Sequence, residues 1–224
     1  MSPLLRFSGT GDRVMSFTKN IEASKAAMAV GVAFIASIVL VTLVDDFLLA
    51  NFVVPGDTEV LAREIAADRH KLSLAAAGYL FVLALDTVIG LALYIVLKPA
   101  SRVLAWLTAA FRLSYVVVLS IGVFALVFDL VDARDYAAIK LFGYVLFALH
   151  LVFLGYTVFR SEYMPRSLGA LLVVAALTYA VFFVELDLPE VAEILAMLTM
   201  LLAELSLSLW LIVRRNTLPS STNG

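Results

Sequence analysis

Six long, almost unbroken apolar stretches govern what this chain can fold into: residues 26–50, 72–97, 103–128, 137–159, 168–185 and 191–213. A helix rising about 1.5 Å per residue needs roughly 20 such residues to cross a hydrocarbon layer about 30 Å thick, so each stretch suits one membrane crossing. A membrane barrel is excluded, because the runs lack the alternation of polar and apolar residues that a lumen demands. With 63% of its 224 residues apolar, 15% charged and a mean hydropathy of +1.02, the chain carries too much apolar surface to hide in one water-soluble core. The same numbers, with no cysteine and a net charge of -2, exclude a disordered chain, a disulfide-stapled secreted module and a nucleic-acid binder.

The stretches end at polar and helix-stopping residues, among them Pro55-Gly56-Asp57, Lys98-Pro99, Arg160 with Arg166, Asp187-Leu188-Pro189 and Arg214-Arg215. Ten Lys and Arg residues fall on the side shared by the two chain ends. Five fall on the other side: Arg63, Arg69, Lys71, Arg134 and Lys140. Basic residues favour the cytoplasm. The expected architecture is therefore all-α: a polytopic transmembrane helical bundle with six spanning helices and both termini cytoplasmic. Its parts are a cytoplasmic N-terminal arm (1–25), the transmembrane domain (26–213) and a disordered cytoplasmic tail (214–224). The first stretch is too long for the apolar core of a signal peptide and lacks a small-residue cleavage site, so it is expected to be retained.

Within residues 55–71, Asp57 is placed to cap a short outer helix with Val60, Leu61 and Ile65 on one side and Glu59 and Arg63 one turn apart. It serves either as a lid or as a solvated connector. Tyr94 with Lys98, Tyr156 with Arg160 and Trp210 with Arg214 repeat an aromatic–base spacing at three helix ends. A thrice-repeated hairpin would leave that trace, and so would the ordinary interfacial belt.

Four ionisable residues stand where none is expected: Asp86, Arg112, His150 and Glu204, each ten or eleven residues from the basic-side end of its stretch. That is about 15–17 Å deep, near the midplane. Such groups cost roughly 2.5–3.5 kcal/mol on insertion scales, so they turn inward and find partners. The short connection at 98–101 makes helices two and three antiparallel neighbours and predicts an Asp86–Arg112 contact. Glu204 with His150 is the complementary pair, able to share one proton at little net charge cost. Tyr115 adds a hydroxyl, while Gly90, Gly143 and Ser208 leave room for close packing or a cavity. Buried pairs of this kind also act as plain interhelical adhesive, worth about 0.6 kcal/mol in measured cases.

A metal site built on His150, Asp86 and Glu204 is disfavoured by the guanidinium and by the lack of ligand-type spacing. No phosphate-cradling or nucleophile-elbow motif is present, and no cofactor is expected. On the other side, Asp45, Asp46, Asp129, Asp132, Asp135, Glu185, Asp187, Glu190 and Glu193 form a candidate outer acidic rim that would gather cations or amines. Acids are equally tolerated there without any function, since bases alone govern orientation.

Several segments together resemble one family of membrane proteins. They are Val54-Pro55-Gly56-Asp57, Leu91-Ala92-Leu93-Tyr94 running to Lys98-Pro99, and Phe111-Arg112-Leu113. They continue with His150, Leu154-Gly155-Tyr156, Arg160-Ser161, Pro165-Arg166-Ser167-Leu168-Gly169, and Glu204-Leu205-Ser206-Leu207 with Trp210. The ordered set is similar to domain-of-unknown-function family 4386, over roughly residues 26–213. The resemblance implies a prokaryotic inner-membrane protein of about six spans with no assigned activity, and a family pattern that includes the counterparts of Asp86, Arg112, His150 and Glu204. Ala203 stands where glycine is expected.

Three roles follow as expectations. The chain binds or translocates a small or amphiphilic ligand at a mid-membrane polar site, with His150 and Glu204 carrying a proton. Alternatively it is an intramembrane enzyme on a lipidic substrate, with Glu204 or Asp86 as acid and His150 as base. A third role is structural, with the polar cluster fixing helix register. The expected partners are membrane lipids and a small amphiphile, with no nucleic acid.

Overall fold

The computed structural model describes residues 10–53, 56–183 and 190–219, the side chains of 10–21, 180–183, 190 and 193 excepted. Among the described residues it is all helix and turn, with no strand. Helix α1 (Thr10–Leu43) ends in a π-helical turn (Val44–Leu48); α2 (Thr58–Ala67) is short; α3 (Arg69–Leu97), α4 (Arg102–Val127), α5 (Ala133–Arg160), α6 (Arg166–Phe183) and α7 (Glu190–Arg214) follow. Five segments are long and apolar enough to cross a membrane: Glu22–Leu48, Arg69–Leu97, Arg102–Val127, Ala133–Arg160 and Ile194–Thr217. The apolar part of α6 described here, Arg166–Tyr179, is shorter. The chain is thus an all-α membrane bundle.

Local chemistry sets the helix starts. Asp57 accepts from the backbone N–H of Glu59 and Val60, Asp68 from those of His70 and Lys71, Ser101 from that of Leu104 and Asp132 from that of Asp135. Asp68 explains why the short outer helix stops at Ala67 rather than running on to Lys71: the residue that caps α3 must leave helical geometry. Leu61 is the buried residue of α2, and Arg63 Nε donates to the Glu59 carbonyl instead of pairing with its carboxylate. Helix α4 closes on Asp129, which takes a left-handed φ of 55° while Leu130 N–H reaches back to the Ala125 carbonyl at 2.8 Å.

The six long helices pack in chain order, α3 on α4, α4 on α5, α5 on α6 and α6 on α7, while α1 packs on both α3 and α7. They form a closed ring, and α2 lies outside it against α3 and α5. Glycine permits the tightest contacts. A Cβ on Gly169 would lie 2.6 Å from the Gly155 carbonyl oxygen, so α5 and α6 meet backbone to backbone. A Cβ on Gly31 would lie 2.8 Å from the Ser208 carbonyl oxygen, which brings α1 against α7.

Three features of the structure go beyond the sequence reading. The chain between α1 and α2 does not simply leave the membrane: Leu49, Phe52 and Val53 are buried, and α5 satisfies their segment's carbonyls. Tyr136 OH donates to Phe52 O at 3.0 Å, Lys140 Nζ to Asn51 O at 2.6 Å, and Tyr144 OH to Val53 O. Lys140, counted above among the outer bases, is therefore a buried residue inside α5, because a buried carbonyl needs a donor more than the cation needs water. The terminal arms also carry structure. Helix α1 begins at Thr10, within the arm expected to be irregular, and the described part of the tail packs back, with Leu218 buried and Ser24 Oγ donating to Asn216 Oδ1 at 2.9 Å.

Candidate functional site

Arg112 is the centre of the polar interior. Its Nη2 donates to Asp86 Oδ1 at 2.5 Å, and its Nη1 lies 3.1 Å from His150 Nε2. The guanidinium carbon sits 4.6 Å from the Phe34 ring centroid and 5.1 Å from that of Phe147, distances at which the ring faces attract a cation. One side chain thereby joins α1, α3, α4 and α5. Asp86 and Arg112 are 3% and 2% exposed, so this ion pair depends on its protein partners. Among the described residues Arg112 Nε has no hydrogen-bond partner.

His150 is fully buried, and its hydrogen bonds fix its tautomer. Nδ1 lies 2.7 Å from the Thr108 carbonyl oxygen, which can only accept, so Nδ1 carries the hydrogen. Nε2 faces Arg112, which can only donate, so Nε2 presents its lone pair. The imidazole is neutral and both nitrogens are engaged. The structure therefore pairs His150 with Arg112, across the α4–α5 contact, and not with Glu204 as expected.

Glu204 faces a cavity of about 300 Å³ enclosed by the ring, to which each of the six long helices contributes. Asp86, Arg112 and Glu204 line it toward one end, where Phe34 of α1 also lies. Thr42, Val53 and Met197 line it toward the other. Tyr115, Tyr144, Phe147 and Tyr179 form a continuous aromatic wall, with neighbouring centroids 4.9–6.3 Å apart. Tyr115 OH meets Tyr79 OH at 3.5 Å. Among the described residues the Glu204 carboxyl has no hydrogen-bond partner; only its backbone carbonyl is engaged, by Ser208 Oγ at 2.6 Å. Thr42, Met197 and Leu201 line the cavity and are also exposed, Met197 by 40%, so the space reaches the flank of the ring between α1 and α7.

Sequence reasoning named Asp86, Arg112, Tyr115, His150 and Glu204; four of them line the cavity, and His150 stands behind Arg112. It missed Phe34, Phe147, Tyr144, Tyr179 and Ser37. Aromatic residues in apolar helices carry no distinguishing signal, but tyrosine hydroxyls in the middle of long spans do. Gly143 meets Leu119 of α4, where a Cβ would come within 2.6 Å, and Gly90 leaves ordinary contact distances of 3.5 Å to Leu113.

The outer acids have local employment. Asp45 Oδ1 accepts from Val53 N–H at 2.6 Å, Asp129 pairs with Arg69 at 2.5 Å, and Asp132 caps α5. Asp46 is exposed on the π-helical turn, and Glu185 lies outside the described residues. Among the described residues no group of three His, Asp or Glu side chains is arranged to hold a metal ion.

A closed helical ring of membrane-spanning segments around a cavity with one polar end defines the class: an integral membrane protein of helical-bundle type. The chain belongs to the family described as domain of unknown function DUF4386, whose model matches residues 29–138 and 125–214. It is 32% identical over 104 residues to an uncharacterized protein of Archaeoglobus fulgidus, an alignment covering 46% of this chain. The chain spans 62% of that relative's length. No solved structure matches it.

Proposed function

We propose that the protein binds a small amphiphilic ligand in the ring cavity and translocates it between the membrane and the aqueous side, as a resident of a prokaryotic cytoplasmic membrane. The observation that carries this reading is the cavity itself: polar groups at one end, apolar and aromatic walls elsewhere, and an opening on the flank between α1 and α7. A space of about 300 Å³ falls at the lower end of the range for small-molecule pockets. An amphiphile satisfies both requirements, a head near Asp86, Arg112 and Glu204 and a tail toward the lipid. Six crossings would put both termini on one side, and the excess of Lys and Arg on that side favours the cytoplasm. Any proton linkage falls to Glu204, because both nitrogens of His150 are occupied. That occupancy also removes His150 as the general base of the enzymatic alternative.

The test is ligand retention. Native mass spectrometry of protein purified from its membrane should find about one small amphiphile per chain. Ser37→Phe and Met200→Trp, which fill the cavity from α1 and α7, should abolish it while the helical content is kept. Uptake into vesicles should fall in parallel. Retention unaffected by both variants means the ligand sits elsewhere, and the reading fails.

A further inference from the structure

We infer that the cavity is selective for an organic cation, an ammonium group on an apolar body, with Glu204 as its counter-ion. This rests on the ligand-binding reading above and adds the charge and chemical class of the ligand.

Three charged side chains reach the cavity, Asp86, Arg112 and Glu204. The first two cancel at a 2.5 Å contact, so Arg112 offers an anion no net positive charge. One terminal nitrogen bonds Asp86 and the other lies against His150; the Phe34 and Phe147 rings stand 4.6 and 5.1 Å from the guanidinium carbon; Nε is buried. The Tyr144 hydroxyl is spent on the Val53 carbonyl. An anionic head entering here would find no free cation and would stand beside an unneutralised carboxyl.

For a cation the same surfaces are favourable. Glu204 offers a carboxyl that none of the described residues satisfies, in an enclosed space where an opposite charge interacts strongly. Tyr115, Tyr144, Phe147 and Tyr179 supply the ring faces that attract ammonium groups, and aromatic walls of this type recognise quaternary ammonium ligands. An apolar chain extending past Met197 and Leu201 would leave by the α1–α7 flank. An ammonium group occurs in free alkylamines and in aminophospholipid heads, and the experiment separates the two.

Binding is measured by displacement of radiolabelled octyltrimethylammonium from the full-length protein in nanodiscs, with octyl sulfate and octanol as chain-matched anion and neutral competitors. The expected order is cation first, by about tenfold over the sulfate, which is about 1.4 kcal/mol. Glu204→Gln should weaken the cation by about tenfold and leave octanol within about twofold. Phosphatidylethanolamine in place of phosphatidylglycerol should compete if the natural ammonium is a lipid head, and should have no effect if it is a free amine. Sulfate binding as tight as the cation, or cation binding unchanged in Glu204→Gln, overturns the inference. If all three probes bind alike and Ser37→Phe and Met200→Trp abolish them all, only the charge assignment falls. If those fillings change nothing, the binding reading falls with it.

Discussion

Arg112 and Glu204 line the same cavity, yet they are opposite kinds of ionisable group. Arg112 is held by the fold: a carboxylate, an imidazole lone pair and two aromatic rings surround it, and only its Nε lacks a partner among the described residues. Glu204 has no side-chain partner among the described residues and opens onto the cavity. An ion held in this way ties helices together, and its removal is felt by the fold. An unsatisfied one contributes little to the fold and is available to something that is not the fold. Arg112 is buried and Glu204 half-buried, and the census of partners separates the two cases further.

The widest separation should come from Arg112→Leu. It strands the Asp86 carboxylate, 3% exposed, without its counter-ion, and breaking a buried pair from one side costs about 3–5 kcal/mol. Reversible unfolding in mixed detergent micelles reads this directly. The double variant Asp86→Leu/Arg112→Leu should recover more than half of the loss, because two apolar residues leave no orphan charge. A double variant as unstable as the single one would mean that the contact with His150, and not the ion pair, is what the helices depend on.

His150→Phe sharpens the same point at smaller scale. The ring volume is kept, but Arg112 Nη1 loses its acceptor and the Thr108 carbonyl loses one donor. A buried group left without its partner costs about 1–3 kcal/mol. A pH titration of ligand binding should keep its midpoint in this variant, since the imidazole is already neutral and committed. A shifted midpoint would return the proton-carrying role to His150.

Lys140 tests whether saturation, rather than position in the ring cavity, is what makes a buried polar group structural. It lies away from the cavity, on α5, and donates to Asn51 O between the donations of Tyr136 and Tyr144. Lys140→Met should cost about 1–3 kcal/mol. It should also raise hydrogen exchange at residues 49–53, where the unsupported carbonyl belongs to a buried connection. Unchanged exchange there would show that the two tyrosines alone hold the segment.

What was legible in the sequence divides along the same line. Five of the spans were, because hydrocarbon imposes a length on each, and so was the Asp86–Arg112 contact, because a four-residue connection forces α3 and α4 together and equal depth aligns the two residues. The partner of His150 was not. It depends on α5 packing beside α4 in the ring, and no loop length distinguishes Glu204 from Arg112 as its neighbour. The return of residues 49–53 into the bundle was also hidden, since Leu49 reads as the apolar end of the span over 26–50 and Phe52 and Val53 as the connection that follows. The signal lay elsewhere, in Tyr136, Lys140 and Tyr144, three donors at successive turns on one face of a helix that otherwise faces lipid and protein. The contacts of Leu218 and Asn216 were not legible either, because single anchors in polar sequence are too sparse to register as a pattern.

The smallest expected effect is the one that completes the comparison. Glu204→Gln keeps the shape of the side chain and breaks no hydrogen bond that the described residues make to its carboxyl; the Ser208 contact is to the backbone. Stability should stay within about 0.5 kcal/mol of the parent protein, as for substitutions that remove no fold-internal interaction. In the same unfolding assay Arg112→Leu loses several times more, so the two residues separate on one axis. A cationic amphiphile should then raise the unfolding midpoint of the parent protein and not that of Glu204→Gln, because a ligand stabilises only the state that binds it. A large loss of stability in Glu204→Gln without ligand would place Glu204 with Arg112, as a residue that the ring needs for its own cohesion, and would remove the contrast on which its ligand-facing role depends.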